Sequence, residues 1–177
     1  MRNGQARAVA TPRGQGMLAL AGASFLVAFA AWLVFDGKNQ AAGVVAAVAG
    51  MALLLGAVMA RREGHGLLAF VDSGVDRAFD GCLLSAIALT SRQADALAAG
   101  AAVAALVAGF LGAYVRARGV SLGYPVEEGL ASRGVRYGLV ALGLGARVLD
   151  PAMFALLAIA LMSAVIRASQ VAKKERE

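Results

Sequence analysis

Long apolar runs separated by short polar segments constrain this chain more than any other feature of its sequence. A helix of about 20 apolar residues crosses the ~30 Å hydrocarbon layer of a bilayer at 1.5 Å per residue. Runs of roughly that length lie at 16–35, 41–60, 67–90, 94–115, from about Gly129 onward, and at 151–168. We therefore expect an all-α membrane protein, a six-transmembrane-helix bundle over residues 16–168 with tails at 1–15 and 169–177.

The composition excludes an ordinary soluble domain. Hydrophobic residues make up 60% of the 177 residues and charged residues only 16%, with a mean hydropathy of +0.71. A net charge of +6 could indicate nucleic acid binding, but the basic residues flank the apolar runs and form no stripe on a polar domain. Membrane lipids are therefore the expected partners, and no nucleic acid is expected.

The basic residues are distributed unevenly between the two sides of the predicted bundle. Thirteen of the 17 lie in the N-terminal tail, the 61–66 turn, the 116–136 region and the C-terminal segment, all on one side. The other side has only Lys38, Arg92 and Arg147. Because basic loops stay cytoplasmic during insertion, we expect both termini to be cytoplasmic in a bacterial-type cytoplasmic membrane.

Four charged residues interrupt the third apolar run. Asp72, Asp76 and Asp80 are spaced four apart, so on a helix they form an acidic face with ~5.4 Å between neighbours. Each charge near the bilayer centre costs about 2.5–3.5 kcal/mol on the insertion scale, so the cluster needs compensation. Arg77 supplies one positive charge, and a divalent cation, bound water or protonation could settle the remaining deficit of two. Alternatively, Arg77 and other basic residues pair with the carboxylates to hold the bundle together, or the acidic face lines an ion path in a transporter.

The segment VDSGVDRAFDG, residues 71–81, resembles the second half of the signature of the CDP-alcohol phosphatidyltransferases. That signature reads D-x-x-D-G-x-x-A-R and then G-x-x-x-D-x-x-x-D. Asp72 and Asp76 match its last two aspartates, and Ala60 and Arg61 match its A-R pair. The resemblance implies a six-helix fold, Asp72 and Asp76 as ligands of Mg²⁺ or Mn²⁺, Asp76 as the catalytic base, and Ala60 and Arg61 at the nucleotide.

A second resemblance lies after the fourth run. The segments YVRARGVSLG and GLASRGVR, residues 114–123 and 129–136, are similar to segments of the branch of the family that uses inositol phosphate. In that branch arginines hold the phosphate of the acceptor. The resemblance implies that Arg116, Arg133 and Arg136 form an anion pocket, with Arg118 nearby, and planar guanidinium groups suit bidentate phosphate contacts. The positive-inside rule alone would also place arginines here.

The first half of the signature is degenerate. Its first two aspartates and its glycine are replaced by Leu53, Gly56 and Ala57, none of which can ligate a cation. Two functions therefore stay open: a phosphatidyltransferase of phospholipid biosynthesis that releases CMP from a CDP-linked lipid, and a catalytically inactive member that binds lipid or pairs with a partner subunit. The resemblance also implies a homodimer.

Overall fold

Six α-helices make up nearly all of the described chain. The computed structural model describes residues 15–63, 66–124, 126 and 133–174. The helices are α1 (Gln15–Phe35), α2 (Asn39–Glu63), α3 (Gly66–Ser91), α4 (Ala96–Ser121), α5 (Arg133–Gly145) and α6 (Leu149–Lys174). The expected all-α architecture is thereby confirmed. The predicted start of the fifth run near Gly129 lies outside the described residues, and α6 continues through residues 169–174, which were expected to form a tail.

Four of the six helices are long and apolar enough to cross a bilayer, namely α1, α2, α4 and α6. This indicates an integral membrane protein. The other two fall short for different reasons: α3 carries the three aspartates of the acidic face and Arg77, and α5 has only 13 described residues. Six crossings and the orientation of the termini therefore stay predictions.

The helices pack through small residues. Helix α1 packs against α2 and α3, α2 against α5, and α4 against α6, with α3–α4 and α5–α6 contacts completing the bundle. A Cβ atom at Gly43 of α2 would lie 2.5 Å from the backbone nitrogen of Gly145, so α2 and α5 meet backbone to backbone. Phe79, Leu83 and Ile87 of α3 are fully buried in the apolar core. The Gly- and Ala-rich runs are thus used for close helix approach.

Short connections turn the chain at one end of the bundle. Only a few residues separate α1 from α2, α3 from α4, and α5 from α6, so each pair is antiparallel. Asp95 caps the N-terminus of α4 by accepting a hydrogen bond from the backbone N–H of Ala98 at 2.9 Å. The opposite end, which we call the arginine-rich end, carries the C-terminal ends of α4 and α6 and the N-terminal end of α5.

Candidate functional site

The three aspartates of α3 are buried inside the bundle. Asp72, Asp76 and Asp80 are 7%, 2% and 5% exposed. Their four-residue spacing places them on one face of the helix, as the sequence predicts. Buried carboxylates are stable only when they are paired or hydrogen-bonded, so the partners of these three residues determine what the site can do.

Two arginines of α5 supply most of those partners. Arg133 Nη1 lies 2.6 Å from Oδ2 of Asp72. Arg136 Nη2 donates to both carboxylate oxygens of Asp76, at 2.9 and 3.0 Å, and Arg136 Nη1 pairs with Asp80. Arg133 and Arg136 are three residues apart and so lie on the same face of α5. The acidic face of α3 and the arginines of α5 therefore form one site.

Arg77 completes the pairing from within α3. Its Nη2 pairs with Oδ2 of Asp76, and its Nη1 lies 3.6 Å from Oδ2 of Asp80. The same guanidinium lies over the ring of Phe110 and its Nη1 is 3.4 Å from the carbonyl oxygen of Gly109 on α4. We call the six charged residues together the charge network: Asp72, Asp76, Asp80, Arg77, Arg133 and Arg136.

Tyr137 is a site residue that sequence reasoning missed. Its hydroxyl donates a hydrogen bond to Oδ1 of Asp76, and its ring packs against Phe79 with the centroids 4.2 Å apart. A Cβ atom at Gly50 would lie 2.8 Å from Cβ of Tyr137, so α2 packs closely against the tyrosine side chain. The signal was available, because Tyr137 lies four residues after Arg133 and shares its helix face.

A pocket of about 600 Å³ opens beside the charge network, between α3, α4, α5 and α6. Five arginines line this arginine pocket, namely Arg77, Arg116, Arg133, Arg136 and Arg167. Asp76 is the only carboxylate among its described lining residues. Guanidinium groups bind phosphate and carboxylate anions through paired charge-assisted hydrogen bonds, so the arrangement suits an anionic ligand.

The predicted phosphate-binding arginines meet at this pocket, but their surroundings differ from the expectation. Arg116, Arg133 and Arg136 all line it, whereas Arg118 is exposed and is not among its lining residues. The resemblance implies a metal site at the carboxylates and a separate anion pocket at these arginines. In the structure Arg133 and Arg136 contact the carboxylates directly, which is the arrangement of the alternative in which other basic residues pair with them. The side chains of Ala60 and Arg61, predicted at the nucleotide, lie outside the described part of the chain.

Helix α6 contributes residues that the sequence did not single out. Arg167 and Ser163 line the arginine pocket, although Arg167 was counted only among the basic residues of the C-terminal segment. Ser163 is 2% exposed, and its hydroxyl oxygen has no hydrogen-bond partner within the described structure. Ala160, Ser163 and Arg167 follow the three- and four-residue spacing of one helix face, which could have revealed them.

The described residues do not fit the divalent cation implied by the resemblance. Among them, no three His, Cys, Asp or Glu side chains are grouped so that they could hold a metal ion. Leu53 and Ala57 of α2 are buried apolar residues, and a Cβ atom at Gly56 would lie 3.1 Å from Leu20 of α1. Oδ1 of Asp72 is buried and has no hydrogen-bond partner within the described part of the chain, but one free carboxylate oxygen supplies only one of the six oxygen ligands that Mg²⁺ prefers.

Solved structures with the same architecture were found. The chain matches a crystal structure of Mycobacterium tuberculosis phosphatidylinositol phosphate synthase (PgsA1) with CDP-DAG bound, with a TM-score of 0.77 and 22% identity over 88% of this chain and 85% of that chain. It matches a second crystal structure of PgsA1, in complex with manganese and citrate, with a TM-score of 0.74 and 24% identity over 88% and 79% of the two chains.

No protein-family model matches the sequence, and no curated protein is significantly similar to it. Neither structural match supports the catalytically inactive alternative. The similarity to PgsA1 therefore rests on three-dimensional architecture and confirms the resemblance at that level. The chain has the fold of phosphatidylinositol phosphate synthase, a CDP-alcohol phosphatidyltransferase.

Proposed function

We propose that this protein is a CDP-alcohol phosphatidyltransferase-like membrane enzyme of phospholipid biosynthesis. It transfers a phosphatidyl group from a CDP-linked lipid to an alcohol acceptor and releases CMP. The observation that carries the proposal is the arginine pocket, where five arginines and one carboxylate, that of Asp76, stand among the described lining residues. This composition suits a phosphate-rich ligand together with one group able to accept a proton.

The pocket has the size and polarity of a headgroup site. Its volume of about 600 Å³ lies within the roughly 300–1,000 Å³ that small-molecule sites occupy. Ser73 and Ser163 add hydroxyl groups to the lining, and the buried Ser163 hydroxyl has no hydrogen-bond partner among the described residues. The fold neighbour PgsA1 was crystallised with CDP-DAG bound, which supports a CDP-linked lipid as the donor here.

The proposed chemistry forms one bond at phosphorus and breaks another. The oxygen of the acceptor alcohol attacks the β-phosphorus of the CDP-linked lipid, the bond between that phosphorus and the CMP oxygen breaks, and the hydroxyl proton passes to the carboxylate of Asp76. Guanidinium groups aimed at the phosphoryl oxygens stabilise the charge that develops there. Arg116 and Arg167 face the pocket from α4 and α6, while Arg133 and Arg136 also fix the position of Asp76.

We further propose that the arginine pocket faces the cytoplasm, where CDP-linked donors and phosphorylated polar acceptors are available. The positive-inside distribution supports this orientation, because the arginine-rich end carries Arg116, Arg118, Lys173 and other basic residues. A bacterial-type cytoplasmic membrane and a homodimeric assembly complete the proposal. Helix faces rich in small residues permit such a dimer.

CMP release tests the proposed function. The purified full chain in lipid nanodiscs is given CDP-diacylglycerol with inositol phosphate or glycerol phosphate, and CMP is quantified by chromatography. We expect acceptor-dependent release that Asp76→Asn abolishes. Asp36→Asn is the matched control, because Asp36 is an exposed residue between α1 and α2, at the opposite end of the bundle. Absence of CMP with both acceptors would contradict the proposal.

A further inference from the structure

We infer that guanidinium groups, rather than a divalent cation, neutralise the three buried carboxylates of this protein, so that the site binds its phosphate-bearing ligand without a metal ion. The inference deepens the proposed function and rests on it for the identity of the ligand. The exclusion of a cation concerns the protein before any reaction takes place, and it is tested by metal binding in the absence of substrates.

Helix α2 contributes no oxygen donor where the family signature places its first aspartates. Leu53 is fully buried and Ala57 is 6% exposed. Gly56 lies so close to α1 that an added Cβ would be 3.1 Å from Cδ2 of Leu20. A carboxylate at position 56 would therefore meet α1. Among the described side chains, this side of the site is apolar, so the carboxylates left to hold a cation are those of α3.

The formal charge of the charge network is already balanced. Three aspartates meet three arginines, and every arginine contacts at least one of the carboxylates: Arg77 and Arg136 contact Asp76 and Asp80, and Arg133 contacts Asp72. With Arg77 as their only cation, the three aspartates would keep two negative charges without a partner. The structure removes that deficit with Arg133 and Arg136. A divalent cation would add two uncompensated positive charges in a region of low dielectric constant.

Most of the carboxylate oxygens are already occupied. Both oxygens of Asp76 accept hydrogen bonds from Arg136, and each has a further donor, Tyr137 on Oδ1 and Arg77 on Oδ2. Oδ2 of Asp80 pairs with two arginines and Oδ2 of Asp72 with Arg133. A cation would have to displace several charge-assisted hydrogen bonds, which are about twice as strong as neutral ones.

The arginines can also perform the electrostatic role that a cation has in phosphoryl transfer. Arg clamps and Mg²⁺ both stabilise charge on a transferring phosphoryl group. Arg77, Arg133 and Arg136 line the arginine pocket and touch the carboxylates at the same time. Their guanidinium groups are thus held in place before a phosphate arrives, and pre-organised donors need little rearrangement during the reaction.

Binding of Mn²⁺ alone tests the inference. The purified full chain in phosphatidylcholine nanodiscs is titrated with Mn²⁺, and free Mn²⁺ is followed by its electron paramagnetic resonance signal. We expect the wild-type protein to remove no more Mn²⁺ than empty nanodiscs do. The Arg133→Gln/Arg136→Gln variant, which leaves three carboxylates facing Arg77 alone, should remove one Mn²⁺ per chain.

The matched control is Arg118→Gln/Lys173→Gln, which removes two exposed positive charges from the same end of the bundle. It should not gain Mn²⁺. Stoichiometric binding by the wild-type protein would overturn the inference, as would a folded Arg133→Gln/Arg136→Gln protein that binds none. If that variant elutes as an aggregate in size-exclusion chromatography, the wild-type titration decides alone.

A second measurement is CMP release in the presence of EDTA, which should leave the release unchanged. If no CMP forms at all, the proposed function fails, while the titration still decides the inference.

Discussion

The hydroxyl of Tyr137 donates a hydrogen bond to Oδ1 of Asp76, and this buried contact joins α5 to α3. The tyrosine is held from two sides, by the ring of Phe79 on α3 and by Gly50 on α2. Asp76 is thus oriented by a neutral donor as well as by Arg77 and Arg136. We interpret Tyr137 as a positioning residue for the proposed base.

Tyr137→Phe should separate positioning from packing. The substitution keeps the ring against Phe79 and removes only the donor to Asp76. We expect the free energy of unfolding to fall by about 1.5–3 kcal/mol, the usual range for a hydrogen bond to a charged group. The kcat for CMP release should fall while KM for the CDP-linked lipid stays close to wild type. Tyr124→Phe is the control outside the site, and equal behaviour of the two variants would contradict the assignment.

Arg136→Gln should be among the most destabilising single changes in the chain. It leaves Asp76 and Asp80 without their shared buried partner, and breaking a buried ion pair on one side costs about 3–5 kcal/mol. Adding Asp80→Asn to this variant should recover part of that loss, because one uncompensated charge is removed. Thermal unfolding of the single and double variants measures the coupling. Arg92→Gln, at an exposed position, is the control and should change stability little; strictly additive effects would argue against the Arg136–Asp80 pair.

The close approach of α2 and α5 depends on Gly43. A Cβ atom there would lie 2.5 Å from the nitrogen of Gly145 and 2.7 Å from the carbonyl oxygen of Ala141. Gly43→Ala should therefore push α5 outward, lower the unfolding temperature, and loosen Arg133 and Arg136 from the carboxylates. Gly100→Ala is the matched control, because a Cβ atom at that helical position meets nothing within 4 Å. It should be neutral or slightly stabilising, since alanine favours helix. Similar unfolding temperatures for the two variants would refute this packing.

The acidic face could be predicted from sequence because it depends only on the helical period. Residues four apart lie on one face of any helix, and the bundle retains that geometry. The partners of the carboxylates could not be predicted in the same way. Arg133 and Arg136 lie about 60 residues after Asp76, and the packing of α2 against both α3 and α5 brings them together.

The helix bounds show the same division between local and tertiary information. Hydrophobic run length located α1, α2, α4 and α6 closely, because bilayer thickness fixes how many apolar residues a crossing helix needs. Helix α6 continues to Lys174, beyond its apolar run, because run length reports the apolar stretch and not where the helix ends. Arg167 and Ser163 lie on the face of α6 that lines the arginine pocket. The place of Arg167 at the pocket follows from the packing of α6 against α4, which the polarity of the residue does not reveal.

The most direct measurement is a thermal-shift experiment on the full chain in phosphatidylcholine nanodiscs. The unfolding temperature is measured with CDP-diacylglycerol and, for comparison, with diacylglycerol. We expect CDP-diacylglycerol to raise the unfolding temperature of the wild-type protein, as a ligand that binds only the folded state must, and diacylglycerol to have no such effect. Arg116→Gln/Arg167→Gln should lose the shift, while Arg118→Gln/Lys173→Gln should keep it. No shift with CDP-diacylglycerol, or an equal shift with both lipids, would contradict a nucleotide-lipid site in the arginine pocket.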